Sequence, residues 1–76
     1  MLTGKDKRNN DMTYDVLDGM SLSAAAKAYG FNSKQAAHKA FRLTCVNFFT
    51  QSYLKEIAEN NYDIKHLRKI WNDTTP

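Results

Sequence analysis

The chain has 76 residues, 42% of them hydrophobic and 12% aromatic, with a single cysteine and a formal net charge of +3. That is one domain near the lower size limit for an independent core, too apolar for a disordered chain and with no apolar run long enough to cross a membrane. Cys45 alone excludes an internal disulfide and suits a reducing cytosol, and "MLTGKDKRNN" lacks the apolar stretch of a secretory signal.

Residues 1–10 read as a flexible basic arm. A first helix is expected over about residues 11–18. Met12, Val16 and Leu17 share one face of it, and Asp11, Asp15 and Asp18 share the other. Gly19 follows as a residue free to turn left-handed. A second helix is expected over residues 22–29, capped by Ser21, with Leu22, Ala25, Ala26 and Tyr29 inward. Gly30 interrupts it. A third helix follows Asn32, which caps it, with Gln35 completing a capping-box-like pair.

The third helix has two dissimilar sides. Ala36, Ala37, Ala40, Phe41 and Thr44 lie on one, so Phe41 must supply the bulk. Lys34, Gln35, His38, Lys39 and Arg42 lie on the other. The pattern fails at Cys45, Val46 and Asn47, which ends the helix near residues 43–45. A fourth helix starts near Thr50, with Phe49 and Leu54 in staple positions, and buries Tyr53, Leu54, Ile57 and Ala58. A fifth covers about residues 62–72. It buries Ile64, Leu67, Ile70 and Trp71 and turns Lys65, Arg68 and Lys69 outward. Residues 73–76 read as a tail or the start of a linker. No segment alternates with the period of two that strands require, so the fold class is all-α.

Charge is segregated along the chain. Residues 19–55 contain no Asp or Glu but hold Lys27, Lys34, Lys39, Arg42 and Lys55. An acid-free basic stretch is the electrostatic footprint expected of a protein that meets a polyanion.

Ala26 at a crossing point, Gly30 in the turn, Phe31 beneath it and "NSKQAA" after it resemble the helix-turn-helix superfamily. The resemblance is to its simple tri-helical members: sigma-factor region four, resolvase-type and homeodomain-like DNA-binding domains. It covers roughly residues 12–44. It implies a core of three helices, with two further helices after it, within a domain spanning residues 11–72. It also implies sequence-specific binding of double-stranded DNA, without enzymatic activity, cofactor, metal or small-molecule substrate. The chain is then a small transcriptional regulator or the N-terminal DNA-reading domain of a replication-initiation or recombination protein. Its place is the cytoplasm, on the nucleoid.

Under this reading Ser33 and Lys34 lie where the third helix enters the major groove. Gln35 suits adenine and Arg42 suits guanine as bidentate partners, with His38 between them. Lys39 and Lys27 are assigned to phosphates. Beyond Phe48 the chain carries more aromatic and aliphatic surface than an alanine-faced bundle needs. A homodimer through Tyr62, Leu67, Ile70 and Trp71 is therefore expected. The rival reading is a helical protein-interaction module, an inhibitor or adaptor of a nucleic-acid-binding machine. His38, Cys45 and His66 are too scattered for a zinc site, and no phosphate-binding glycine loop or carboxylate pair points to catalysis.

Overall fold

The computed structural model describes residues 4–74. Among them are five α-helices, one 3-10 turn and no strand. Helix α1 is Gly4–Leu17, α2 is Leu22–Ala28, α3 is Lys34–Cys45, α4 is Gln51–Glu59 and α5 is Ile64–Thr74. The 3-10 turn, Val46–Phe48, follows α3 directly.

Helix α1 begins much earlier than its apolar pattern suggests. Residues 4–10 are its first turns, so the expected basic arm is corrected to helix, and residues 1–3 lie outside the described residues. The polar segment is supported locally. Asp6 in the first turn opposes the positive end of the helix dipole. Lys7 pairs with Asp11 one turn on, at 3.3 Å, although both are exposed and such a pair contributes only about 0.3–0.5 kcal/mol. Arg8 reaches across to another element and places its guanidinium 4.1 Å from the centroid of the Phe31 ring.

The start of α2 is as expected. Ser21 is extended and its Oγ accepts from the Ala24 N–H at 3.1 Å. For α3 the cap moves by one residue. Ser33, not Asn32, takes the extended cap conformation, and its Oγ accepts from the Ala36 N–H at 3.1 Å. Gln35 thus stands at the second helical position, so the expected capping-box pairing does not apply.

Three helices end by the same device. After α1, Gly19 (φ 128°) lets its N–H reach Val16 O at 3.1 Å, and Met20 N–H reaches Asp15 O at 2.9 Å. After α2, Gly30 (φ 76°) lets Phe31 N–H reach Ala26 O at 2.8 Å. After α4 the left-handed residues are Asn61 (φ 54°) and Tyr62 (φ 56°), with Tyr62 N–H on Ile57 O at 3.0 Å. These bonds satisfy helix-end carbonyls that would otherwise be orphaned. Tyr62 therefore belongs to the turn, and α5 starts two residues later than expected and runs on through Asp73 and Thr74.

The core collects every helix. Met12, Val16 and Leu17 come from α1, Leu22, Ala25 and Ala26 from α2, and Ala37, Phe41 and Cys45 from α3. Ile57 of α4 and Leu67 and Ile70 of α5 complete it. Phe41 is the largest fully buried side chain, as the small residues around it require. Ala36 and Ala58 are exposed, against expectation, whereas Cys45 is fully buried although the helical period put it on the polar side. Burial pushes the Cys45 thiol up to about 11.

Helix α1 packs against α2, α3 and α5, and α2 packs on α3. Two polar ties fix α1 further. Tyr29, just past α2, donates its hydroxyl to the Asp15 carboxylate. Arg68 of α5 turns inward and donates from Nε to Val16 O at 3.0 Å and from Nη2 to Met20 O at 2.9 Å. It closes the C-terminal end of α1, where a cation is also favoured by the helix dipole. Arg68 is thus a structural clamp rather than part of an outward basic face.

Trp71 is the hub of an aromatic cluster. Its ring meets Tyr14 edge-on at 6.0 Å, Phe48 at 5.8 Å and Phe49 at 6.1 Å between centroids. The apolar residues after Phe48 are therefore largely spent inside one protomer. Leu67 is 0% exposed and Ile70 only 7%. Neither is free to form a dimer contact, which corrects that part of the expected interface; Tyr62 and Trp71 are half-buried.

Candidate nucleic-acid interface

Four residues turn α3 inward: Ala37, Phe41, Thr44 and Cys45. They leave the opposite side of the helix to Gln35, Ala36, Lys39, Arg42 and Leu43, all exposed. The polar members of this stripe are those expected from the sequence. Ala36 and Leu43 are additions. An alanine carries little signal for burial in either direction, and Leu43, at 69% exposure, breaks the rule that leucines face inward.

The other expected residues distribute around this stripe. His38 is half-buried on its flank, and with Leu22, Lys34 and Gln35 it lines a shallow depression. Ser33 is used as the helix cap, so its side-chain oxygen is already engaged. Lys27 is exposed near the end of α2. It lines, with Ser23, Phe31, Asn32 and Lys34, the depression between α2 and the start of α3. Lys34 therefore stands between two hollows, with Lys27 across one and His38 across the other.

Arg42 has a neighbour that sequence spacing did not reveal. Its guanidinium lies 5.8 Å from the centroid of the Tyr62 ring, on the left-handed turn before α5. An aromatic face beneath a guanidinium attracts it and narrows its range of orientations. Bulky residues rarely adopt a left-handed conformation, so the turn holds this ring in place at some cost in backbone energy. Strain at such a position is a common companion of function.

The electrostatics of the stripe follow from what is missing near it. The ion pairs Lys7–Asp11 (3.3 Å) and His66–Glu56 (3.7 Å) involve no residue of α3. Among the described residues no acidic side chain is paired with Lys34, Lys39 or Arg42. Like Cys45 within the core, Tyr29, just past α2, is strongly perturbed. Its hydrogen bond to Asp15, reinforced by burial and by the charges of Asp15 and Asp11, pushes its hydroxyl up to about 12. That perturbation is accounted for by the tie between α1 and α2.

No group of three or more His, Cys, Asp or Glu is placed to hold a metal among the described residues. No described helix is long and apolar enough to cross a membrane. The hollows described on the surface are of a few hundred cubic ångströms, and one of them gathers Tyr53, Glu56, His66, Lys69 and Asp73.

No protein family, curated protein or solved structure matches the chain. The functional reading therefore rests on the residues and their geometry.

Proposed function

We propose that the chain is a sequence-specific DNA-binding domain that presents α3 to the major groove as the second helix of a helix-turn-helix. The observation that carries this reading is the outward stripe of α3. It combines Gln35, Lys39 and Arg42 with two apolar groups, Ala36 and Leu43, and has no acid anywhere in residues 19–55. Base edges are read by such a mixture. Gln35 can bond both edge atoms of adenine and Arg42 those of guanine, and the Ala36 methyl suits the methyl of thymine. Lys39 and Lys27 supply charge to phosphates, which positions the helix without reading sequence.

The domain in this reading does its work by binding rather than by catalysis, in a transcriptional regulator or in a replication or recombination protein acting on the nucleoid. Any two-fold pairing that doubles the DNA footprint has Tyr14, Tyr62 and Trp71 to use, since Leu67 and Ile70 are inside. One observation favours the rival protein-interaction reading: Leu43 is a large exposed hydrophobe on the same stripe, and helices often dock through such residues.

Selection of bound sequences from random duplex DNA, followed by salt titration on the winner, separates the two. The DNA reading expects one enriched motif and a log–log salt slope of about −2 or steeper, on the order of 0.9 for each phosphate contact, with Lys27 and Lys39 supplying two. No enrichment and a flat salt response would transfer the stripe to a protein partner.

A further inference from the structure

The three basic residues that share one stretch of α5 do not share a fate. Arg68 turns inward and clamps the end of α1. Lys69 faces a hollow it shares with Glu56, His66 and Asp73, so acids surround its charge. Lys65 differs from both. It lines a cleft of about 380 Å³ whose other walls include Lys34, Arg68, Ser21, Ser23 and Leu22. This cleft lies where the starts of α2, α3 and α5 meet. One acid, Asp63, is also on its wall.

Lys34 belongs to this cleft and to the hollow that Lys27 lines on the other side. The cations Lys27, Lys34 and Lys65 therefore form a strip around the N-terminal end of α3, running from α2 to α5. Lys34 and Lys65 are exposed and in no ion pair among the described residues. Arg68 adds a fixed positive charge, because its two carbonyl bonds hold it in place. A cleft with three cations, two hydroxyls and one acid has the chemistry of a singly charged, oxygen-rich anion site.

We propose that a phosphodiester of the bound DNA backbone seats in this cleft, held by Lys34 and Lys65 beside the fixed charge of Arg68. This makes α5 part of the DNA interface, beyond its role in the core. It rests on the DNA reading of α3, and it places the backbone beside the end of α3 that enters the groove. Phosphate contacts fix register and orientation on the duplex, so the cleft would set how α3 is angled while the stripe reads bases.

The experiment uses the full chain and a duplex recovered from the random-sequence selection, with affinity measured across a range of salt. Lys65→Gln is expected to reduce the log–log salt slope by about 0.9, to weaken matched and mismatched duplexes by the same factor, and to leave thermal stability unchanged. Lys65→Arg should keep the native slope. Lys69→Gln, one turn along the same helix, should also keep it. Asp63→Asn removes the single opposing charge and should tighten binding to every sequence.

A Lys65→Gln protein with the native slope, or a Lys69→Gln protein that loses as much as Lys65→Gln, would overturn the cleft while leaving α3 as the reader. Native protein with no salt dependence at all would overturn the DNA reading itself.

Discussion

Two pairs of helices in this molecule are built on the same plan. In each, a short helix ends at a left-handed residue, backbone bonds close its last turn, and a longer helix follows. After α2 the left-handed residue is Gly30, and after α4 it is Asn61 followed by Tyr62. The pairs differ in what fills them. The α2–α3 pair buries alanines around one large ring, Phe41, and keeps a basic stripe outside. The α4–α5 pair brings Ile57, Leu67, Ile70 and Trp71 to the core and mixes acids with its cations outside. Turn chemistry alone therefore does not tell the two pairs apart. What distinguishes α2–α3 is an inner side built largely of alanines around Phe41, combined with an outer face free of acids.

The sharpest way to break this comparison is at Phe41. Phe41→Ala should cost about 3–5 kcal/mol, because no neighbour on the alanine side is large enough to close the cavity. For a domain of this size that is most of the expected stability. Denaturant unfolding measures it, and a loss below about 1 kcal/mol would show that the α2–α3 pair does not depend on that ring.

Arg68 comes next. Arg68→Ala takes the Arg68 donor from Met20 O and leaves Val16 O with the Gly19 N–H alone, at about 1–3 kcal/mol, while Lys69→Ala, with an exposed side chain, should stay within about 0.5 kcal/mol of native. Equal effects would mean that α5 is held by its apolar face alone.

On the binding side, Gln35→Ala and Arg42→Ala should each relax preference at one base position, at about 1–3 kcal/mol of discrimination. Lys39→Ala should weaken all sequences alike. Tyr62→Ala should relax the same position as Arg42→Ala, only less, because the ring orients that guanidinium without touching DNA. Competition binding with single-base variants of the selected site checks all four. A uniform loss from every substitution would remove the reading role from α3.

The two turns can be compared directly. Gly30→Ala forces a side chain into a left-handed conformation and should cost about 1–2 kcal/mol. Asn61→Gly should be neutral or slightly stabilising, since asparagine already tolerates that region. Thermal midpoints suffice to rank them, and the reverse order would show that the second turn is the more constrained.

The smallest effect is a pH dependence confined to the α2 side. The hydroxyl of Tyr29 is held protonated in the fold up to about 12, above the usual tyrosine value near 10. The folded state keeps this proton more tightly than the unfolded chain does. Its contribution to stability is thus fully present below about pH 10 and is lost as pH rises toward 12. Ultraviolet titration should find one of the four tyrosines ionising late, and Tyr29→Phe should abolish that late step.

Much of the helical plan was legible because its signals are local. Ser21 before a run of alanines, Gly19 and Gly30 at helix ends, and the spacing of Met12, Val16 and Leu17 all act over a few residues. The cap of α3 slipped by one because Asn32 and Ser33 are both good caps, and only the backbone conformation chooses between them. Residues 4–10 looked like an arm because a helix made of polar residues has no apolar period; its supports are the Lys7–Asp11 pair and the contact of Arg8 with Phe31. On α3, Gln35, Lys39 and Arg42 were placed outward by the same period that put Phe41 inward. Ala36 was misplaced, since a methyl group is almost indifferent to burial. The partnership of Arg42 with Tyr62 and the inward turn of Arg68 were illegible. Both join residues far apart in the chain, and nothing in a helical wheel points across such a gap.

The clamp made by Arg68 also sets the order in which the molecule can come into being. The bond from Arg68 to Val16 spans 52 positions of sequence, so the first helix receives its final partner from the last. During synthesis the ribosome delivers α1, α2 and α3 well before the residue that ties them off. Until then Met20 O lacks its Arg68 donor, and the space that Leu67 and Ile70 fill stays open. Contacts between distant parts of a chain carry a loop-closure cost before they return any stabilisation. Here that cost falls on the last helix, so the tie at the end of α1 is completed only once α5 is present.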